Sequence, residues 1–348
     1  MEHPFAGQRV LVVGGAGFVG ANLVRELLAQ GAAAILVVDN LLSAERANLP
    51  EADAVSFLEG SITDEAVLAA LRDDLDYLFH LATFHGNQNS IQDPLADHAN
   101  NLYTTLRLYE RIRGFQRLKK VVYSGAGCTA AEKTFGPARA TGEEDPVSLR
   151  HDSPYQISKL IGEMYSYYYA ARHGLPVVVA RFQNVYGPGE ILGAGRWRGT
   201  TATVWRNVTP TFVYLAVKGR PLPVEGTGEA TRDFIYVGDI VAGLLACASR
   251  GTAGQAYNLA SGVETPIRDL ARLVNELTGN RAPIEWRPQR AWDRSGKRFG
   301  STAKAARDLD FTTRVPLEEG LRRTVAWTRE KLPLIEACIQ RHAAHMPA

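Results

Sequence analysis

A tyrosine and a lysine four residues apart stand in the segment DSPYQISK, residues 152–159. Ser153 is a good N-cap and Pro154 a good first helical residue, so a helix is predicted to begin here. Tyr155 and Lys159 then lie on one face of its first turns. Because a nearby ammonium stabilises a phenolate, this pair is suited to general acid–base catalysis on an alcohol.

A second pattern suits the binding of a dinucleotide. The run VVGGAGFVG, residues 12–20, places Gly14, Gly17 and Gly20 between an apolar run and a helix-like segment. Glycine permits a tight turn and a close approach of backbone to a pyrophosphate, and the helix N-terminus supplies N–H donors. Asp39 ends the next apolar run, where a carboxylate accepts hydrogen bonds from ribose hydroxyls and repels a 2′-phosphate. The pattern therefore predicts a site for NAD rather than NADP.

The first half of the chain alternates strand-like and helix-like segments. The apolar runs are RVLVVGG (9–15), AILVVDN (34–40), VSFLEG (55–60), YLFHLAT (77–83) and KKVVYSG (119–125), and helical periodicity occupies 20–31, 63–73 and 94–113. Continuous apolar strands separated by helices indicate a parallel sheet covered on both faces. The predicted fold is therefore α/β, a Rossmann-type doubly wound sheet that binds ligands at the carboxyl ends of its strands. A Gly-rich segment, 187–207, follows, and a further helix is predicted at 316–332.

Composition excludes several classes of function. The 348 residues are 45% hydrophobic and 22% charged with a net charge of +2, which is ordinary for a soluble globular protein and disfavours a nucleic-acid or membrane-surface binder. The three cysteines, Cys128, Cys247 and Cys338, are too scattered for a disulfide framework or a zinc site, and a reducing compartment is expected. No metal is predicted, a cytoplasmic location is expected, and His342 and His345 are expected to face solvent.

These motifs resemble the extended short-chain dehydrogenase/reductases that act on nucleotide sugars, such as the UDP-galactose 4-epimerases. The resemblance spans roughly residues 8–332 and is carried by GGAGFVG, DNLLSAERANL, FHLAT, NLYTT, RFQNVYGPG and TRDFIYVGDI. It implies an NAD-binding Rossmann domain formed by 1–183 with returning segments near 233–262. A smaller α/β domain that binds the nucleotide sugar would comprise 184–232 and 263–348.

The resemblance also implies the site residues. NAD is expected to contact Gly14, Gly17, Phe18, Val19, Gly20, Asp39, Asn40, Ser61, Ile62, Leu81, Ala82, Thr83, Asn101, Tyr155 and Lys159. The nucleoside diphosphate sugar is expected to contact His85, Asn87, Ser124, Asn184, Asn207, Arg232, Arg290 and Asp293. Asn184, Asn207 and Arg232 would hold the diphosphate. The alternatives are a hydrogen-bonded turn for His85 and Asn87, an ion pair with Asp233 for Arg232, and an exposed basic loop for Arg290.

The strand KKVVYSGAGC ends differently from the corresponding strand of the family. Ala126 stands where the family carries a hydroxyl that bridges the substrate and the tyrosine. Cys128 replaces the glutamate of dehydratases and decarboxylases, and Gly127 replaces the dehydratases' aspartate, which argues against dehydration. A cysteine here resembles GDP-mannose 3,5-epimerase, whose thiol exchanges a proton and pairs with a lysine. The corresponding segment, 196–210, supplies Arg196, Arg198 and Arg206 and no lysine, and arginine exchanges protons poorly.

The sequence thus predicts an NAD-dependent nucleotide-sugar epimerase with Tyr155, Lys159 and Cys128 as catalytic residues. Inversion at carbon 4 heads the alternatives because it needs the fewest side chains. A 3,5-epimerase, a dehydratase or a decarboxylase that uses Cys128 remain open, with a buried, inert Cys128 as the structural alternative. A non-catalytic NAD-binding regulator is the alternative of another class. The aromatic stretch YSYYYAA, 165–171, predicts core packing, and the resemblance implies that its helix also forms the interface of a homodimer.

Overall fold

The computed structural model of the protein describes residues 3–127, 137–291, 293 and 296–346. The strands in this part of the chain are β1 (Arg9–Val13), β2 (Ala34–Asp39), β3 (Val55–Glu59), β4 (Tyr77–His80), β5 (Lys120–Ala126), β6 (Ala140–Thr141), β7 (Val177–Phe182), β8 (Asn184–Tyr186), β9 (Leu222–Glu225), β10 (Thr231–Arg232), β11 (Phe234–Tyr236), β12 (Ala256–Leu259), β13 (Thr265–Pro266), β14 (Ile284–Arg287) and β15 (Phe299–Gly300).

The α-helices of the same ranges are α1 (Phe18–Ala29), α2 (Glu65–Ala70), α3 (Asn87–Gln92), α4 (Pro94–Asp97), α5 (Thr104–Ile112), α6 (Pro154–His173), α7 (Val208–Val217), α8 (Val237–Arg250), α9 (Ile267–Thr278), α10 (Ala303–Leu309), α11 (Leu317–Glu330) and α12 (Leu332–Gln340). A π-helix, His98–Tyr103, joins α4 to α5, and short 3₁₀ turns occupy Arg46–Asn48, Thr201–Thr203 and Ala343–His345. No helix among the described residues combines the length and the apolar character that crossing a bilayer requires.

Seven parallel strands form the central sheet in the order β12-β7-β5-β4-β1-β2-β3. The chain builds outward from β1 to β2 and β3, and then returns to place β4 on the other side of β1. The connections that follow β1 and β4, which are neighbours in the sheet, therefore run in opposite directions. Such a reversal leaves a crevice at the carboxyl ends of the two strands, and ligands of this fold class bind there. The predicted α/β doubly wound fold is confirmed.

Apolar side chains cover both faces of the sheet. One face packs against α1, α8 and α10, and the other packs against α2, α5 and α6. A third apolar cluster lies among later residues and joins α7, α9, α11 and α12. The division of the chain into two domains at the predicted boundaries remains a prediction.

The single helix predicted over 94–113 is interrupted. The π-helix between α4 and α5 contains Asn101, whose side chain bonds to the loop after β4 as well as to Asp97 at the end of α4. The helix predicted over 63–73 is shorter than expected and ends at Ala70, because Arg111 donates to the carbonyls of Leu68 and Leu71 at its end. Side-chain contacts from distant segments set both boundaries.

Candidate active site

The carboxyl ends of the central strands open into one long cleft. Its walls come from the turns after β1, β2, β3 and β4, from the end of β5, from the start of α6, and from the segment between β8 and α7. Most of the residues predicted to bind cofactor line this cleft, namely Gly14, Gly17, Phe18, Val19, Gly20, Asp39, Asn40, Ser61, Ile62, Leu81, Ala82, Thr83, Tyr155 and Lys159. The fold thus brings these separate motifs to one place.

The glycine-rich turn fits a pyrophosphate group. Gly14 has a φ of +84°, and a Cβ on it would lie 2.5 Å from the backbone nitrogen of Ala82. A Cβ on Gly20 would overlap the carbonyl oxygen of Gly14. Gly17 precedes the first residue of α1, and neither a capping side chain nor an acidic residue occupies that helix terminus. The backbone N–H groups there remain available for a phosphate.

Asp39 lies buried at the end of β2, beside the glycine-rich turn. Its carboxylate accepts hydrogen bonds from the backbone N–H groups of Ala16, at 3.0 Å, and Leu41, at 2.9 Å. Burial raises the pKa of Asp39 above its ordinary value, and the N–H donors of Leu41 and Ala16 oppose that rise. A carboxylate held in this way suits the hydroxyls of an adenosine ribose.

Asn101 does not line the cleft but connects two of its walls. Its Oδ1 accepts from the Thr83 hydroxyl at 2.9 Å and from the Phe84 N–H at 2.6 Å. Its Nδ2 donates to Asp97 at 2.7 Å and to the Ser158 hydroxyl at 3.2 Å. This amide therefore ties the loop after β4 to the helix that carries Tyr155.

Helix α6 presents Tyr155 and Lys159 to the cleft. The helix begins as the sequence predicts, with the Ser153 hydroxyl accepting from the N–H of Gln156. The Lys159 side chain is buried, and its Nζ donates to the carbonyl oxygen of Ser124 at 3.0 Å and to its hydroxyl at 3.3 Å. Lys159 and the end of β5 are thereby held in one arrangement.

The end of β5 carries small side chains toward the cleft. Ser124 and Ala126 both line it, and the Ser124 hydroxyl is engaged by Lys159. Ala126 therefore offers a methyl group where the resemblance implies a bridging hydroxyl. Cys128, the third predicted catalytic residue, lies outside the described residues.

His85 and Asn87 line the cleft after β4. The His85 ring approaches Tyr155 edge-on with 5.9 Å between centroids, and its buried Nδ1 has no partner among the described residues. Burial, followed by the charges of Arg206 and Arg198, lowers the pKa of His85 to about 3, so the imidazole is neutral. Asn87 also has a structural contact, because its Oδ1 accepts from the Ser153 hydroxyl at 2.8 Å.

The predicted substrate-side residues divide into two groups. Asn184 and Asn207 line the cleft, whereas Arg232, Arg290 and Asp293 are not among the residues that line it. Arg232 donates to the carbonyl oxygens of the residues Thr231 and Gly296 and lies 3.6 Å from Asp293. Arg290 pairs with Glu225, and Asp233 accepts from Ser261 and Gly262 rather than pairing with Arg232.

Three charged residues of the cleft were not among the predicted site residues. Arg298 is 7% exposed, and one of its terminal nitrogens, Nη1, is buried without a partner among the described residues. Glu190 and Arg206 lie on the segment between β8 and α7, and burial raises the pKa of Glu190 to about 7. A signal for Glu190 was present, because it is the one acid in residues 187–207.

The C-terminal residues hold this segment in place. The ring of His342 is 2% exposed and its Nε2 lies 2.9 Å from the carbonyl oxygen of Gly193, while Trp197 stacks on His345 at 4.9 Å. The prediction that His342 faces solvent is therefore wrong. Its burial follows from the packing of α12 against the Gly-rich segment, which nothing near His342 in the sequence indicates.

Comparisons with known proteins agree with this geometry. A family model described as the NAD dependent epimerase/dehydratase family matches residues 10–260. The chain is 32% identical to a UDP-glucose 4-epimerase of Mycolicibacterium smegmatis, over 93% of this chain and 99% of that protein. The chain is also similar to the Bordetella bronchiseptica enzyme WbmF, whose crystal structure was determined in complex with NAD+ and UDP. The two sequences are 58% identical, the match covers 99% of each chain, and the TM-score is 0.90. A third match is the crystal structure of UDP-glucose 4-epimerase of Thermotoga maritima with UDP-glucose. Its sequence is 30% identical to this chain, the match covers 93% of this chain and 99% of that one, and the TM-score is 0.81.

Proposed function

We propose that this chain inverts carbon 4 of the sugar in a nucleoside diphosphate hexose. The proposal proceeds from the family, because the chain belongs to the NAD-dependent epimerase/dehydratase family. The family assignment makes the chain an NAD-dependent enzyme of the nucleotide-sugar class. The observation that carries the finer proposal is the pair Tyr155 and Lys159 at the cleft, with Lys159 fixed on Ser124. Inversion at carbon 4 needs this pair and the cofactor alone.

Each side chain has a defined task in this proposal. The Tyr155 phenolate removes the proton of the sugar's 4-hydroxyl group and later returns it, while the Lys159 ammonium favours the phenolate. The turn after β1 would hold the pyrophosphate of NAD and Asp39 would hold its adenosine ribose. The bound cofactor would supply a hydride acceptor for carbon 4 and then a hydride donor for the opposite face of the sugar ring. No net redox change results.

Buried donors on the far wall support a diphosphate substrate. A buried guanidinium nitrogen without an acceptor among the described residues is costly, so this nitrogen of Arg298 suits an anion supplied by a ligand. We assign the diphosphate to Asn184, Asn207 and Arg298, which line the cleft, rather than to Arg232. The complex of the similar enzyme WbmF with UDP favours a uridine nucleotide.

The test is product analysis by NMR in deuterated water. Purified enzyme is supplied with UDP-glucose, UDP-galactose and their 2-acetamido and uronic acid counterparts. We expect the 4-epimer of at least one of them, with solvent deuterium absent from carbons 3 and 5. Deuterium at either carbon would instead indicate a 3,5-epimerase, and release of carbon dioxide or water would indicate a decarboxylase or a dehydratase. Failure to convert any nucleotide sugar would favour the NAD-binding regulator.

A further inference from the structure

Glu190 and Asn207 form a contact in the cleft that the proposed reaction does not use. Nδ2 of Asn207 donates to Oε1 of Glu190, and both residues line the cleft. We propose that Glu190 is a positioning residue that decides which end of the Asn207 amide faces the substrate diphosphate. The inference rests on the proposed function, since it requires a diphosphate at Asn207.

The direction of the Asn207 amide matters because its two ends differ in chemistry. The amide nitrogen donates hydrogen bonds and the amide oxygen only accepts them. While Nδ2 is bonded to Glu190, the oxygen is the end left for the cleft. Phosphate oxygens are acceptors, so this arrangement suits a diphosphate poorly. Rotation of the amide by half a turn would present the nitrogen to the phosphate, provided that Glu190 can donate to the oxygen.

The surroundings of Glu190 allow it to become such a donor. The side chain is 4% exposed, and its Oε2 is buried without a partner among the described residues. An ionised carboxylate normally gathers several donors, and this one has the Asn207 amide and the more distant charge of Arg206. From α1 and from the 3₁₀ turn after β2, the neutral amides of Asn22 and Asn48 contact the backbone of the same segment.

Burial raises the pKa of Glu190 to about 7, against the opposing effects of the Asn207 amide and the Arg206 charge. At a pH below this value the carboxyl group is protonated, donates to the amide oxygen and turns the amide nitrogen toward the diphosphate. Above this value it is ionised, accepts from the nitrogen and leaves the amide oxygen facing the phosphates. Affinity for the diphosphate is therefore expected to rise as pH falls through the neutral range.

The experiment is titration of the NAD-loaded enzyme with UDP-glucose between pH 6 and pH 8.5 by calorimetry. UDP-glucose is the probe because both of its phosphates are esterified and keep a constant charge over this range. We expect the Kd of the wild type to increase by about tenfold from the low to the high end. Glu190→Gln supplies a donor without a charge, so its Kd should stay near the value of the wild type at low pH. At pH 8.5 this variant should therefore bind UDP-glucose more tightly than the wild type.

Two further variants separate the proposal from simpler explanations. Glu45→Gln is the matched control, because Glu45 pairs with Arg341 and its pKa lies below the ordinary value, so the pH dependence should persist. In an Asn207→Ala background, Glu190→Gln should change the pH dependence little if Glu190 acts through the amide. An undiminished effect in that background, or a wild-type Kd that does not vary with pH, would overturn the proposal. No binding at any pH would count against the proposed function as well.

Discussion

At the scale of single residues, the proposed site combines a partly buried reacting group with fully buried supports. Tyr155 faces the cleft, whereas Lys159 is 3% exposed and donates hydrogen bonds to the carbonyl oxygen and the hydroxyl of Ser124. A buried ammonium with fixed partners cannot reorient easily, so its charge acts at a constant distance from the phenol. This arrangement explains why one helical turn separates the two residues.

Removing the phenolic oxygen tests the catalytic pair. Tyr155→Phe should lower kcat by about 10²–10⁴-fold, because general acid–base catalysis is lost while the ring remains. Bound NAD should be retained, as measured by absorbance of the cofactor released on denaturation. Tyr168→Phe is the matched control, since Tyr168 lies on the same helix with 52% exposure and should leave kcat unchanged. Equal activity of both variants would refute the assignment.

Two arginines that are close in the sequence should behave differently. Arg298 lines the cleft, whereas Arg290 is half-exposed and pairs with Glu225. Arg298→Ala should raise KM for the nucleotide sugar by about tenfold or more, because a charge-assisted hydrogen bond to the diphosphate contributes about 1.5–3 kcal/mol. Arg290→Ala should change KM by less than about threefold, since exposed ion pairs contribute little. Steady-state kinetics on both variants measure the two KM values, and equal changes in KM would contradict the assignment of Arg298 to the diphosphate.

At the scale of elements, the packing of α6 on β5 sets the position of Tyr155 and Lys159, the proposed acid–base pair. Gly162 of α6 lies against the fully buried ring of Tyr123, and a Cβ on this glycine would overlap the Tyr123 hydroxyl. The helix can approach the strand closely enough for Lys159 to reach Ser124 because this position has no side chain. A glycine in the middle of a helix thus has a packing function that outweighs its low helix propensity.

Gly162→Ala should push α6 away from β5. We expect a loss of about 1–3 kcal/mol in the free energy of unfolding, since overpacking of a core costs this much and exceeds the gain in helix propensity. The kcat value should also fall, because Lys159 lies one turn away. Gly114→Ala is the control, as a Cβ there would meet nothing within 4 Å. Denaturant unfolding of both variants measures the difference, and an equally stable Gly162→Ala would contradict this account.

At the scale of the whole molecule, a group of neighbouring helices carries several exposed apolar side chains. They lie on α3, α4, the π-helix and α6, which contact one another, and comprise Ile91, Leu95, Tyr103, Ile157, Met164 and Tyr168. Exposed apolar side chains on neighbouring helices are typical of a protein–protein interface. They add support to the homodimer implied by the family resemblance, which stays a prediction.

Light scattering in solution tests the homodimer. The wild type should have twice the mass of the chain, and Ile157→Asp combined with Met164→Asp should give the mass of the monomer, because two buried charges would oppose the interface. Val263→Asp is the control, since Val263 is also exposed and apolar but belongs to the turn after β12. A wild type of monomeric mass, or a dimer that tolerates both charges, would contradict the prediction.

Much of the fold and of the cofactor side of the cleft could be predicted because their signals are local. Glycine spacing, an acid at the end of a strand, a Ser-Pro helix start and apolar runs each act within a few residues. The lengths of α2 and of the helices around Asn101 could not be predicted in the same way. Their ends are set by Arg111 and by the loop after β4, which meet them only in the folded chain.

The sequence by itself determined the parallel sheet, the glycine-rich turn, Asp39, and the pairing of Tyr155 with Lys159 on one helix. Tertiary structure alone decided that Arg298 and not Arg290 reaches the cleft, that Glu190 meets Asn207, and that His342 is buried against Gly193, 149 residues away. The physical reason is the range of the interactions. Backbone geometry and helical periodicity are encoded by neighbours in the chain, whereas burial and charge pairing depend on which distant segments pack together.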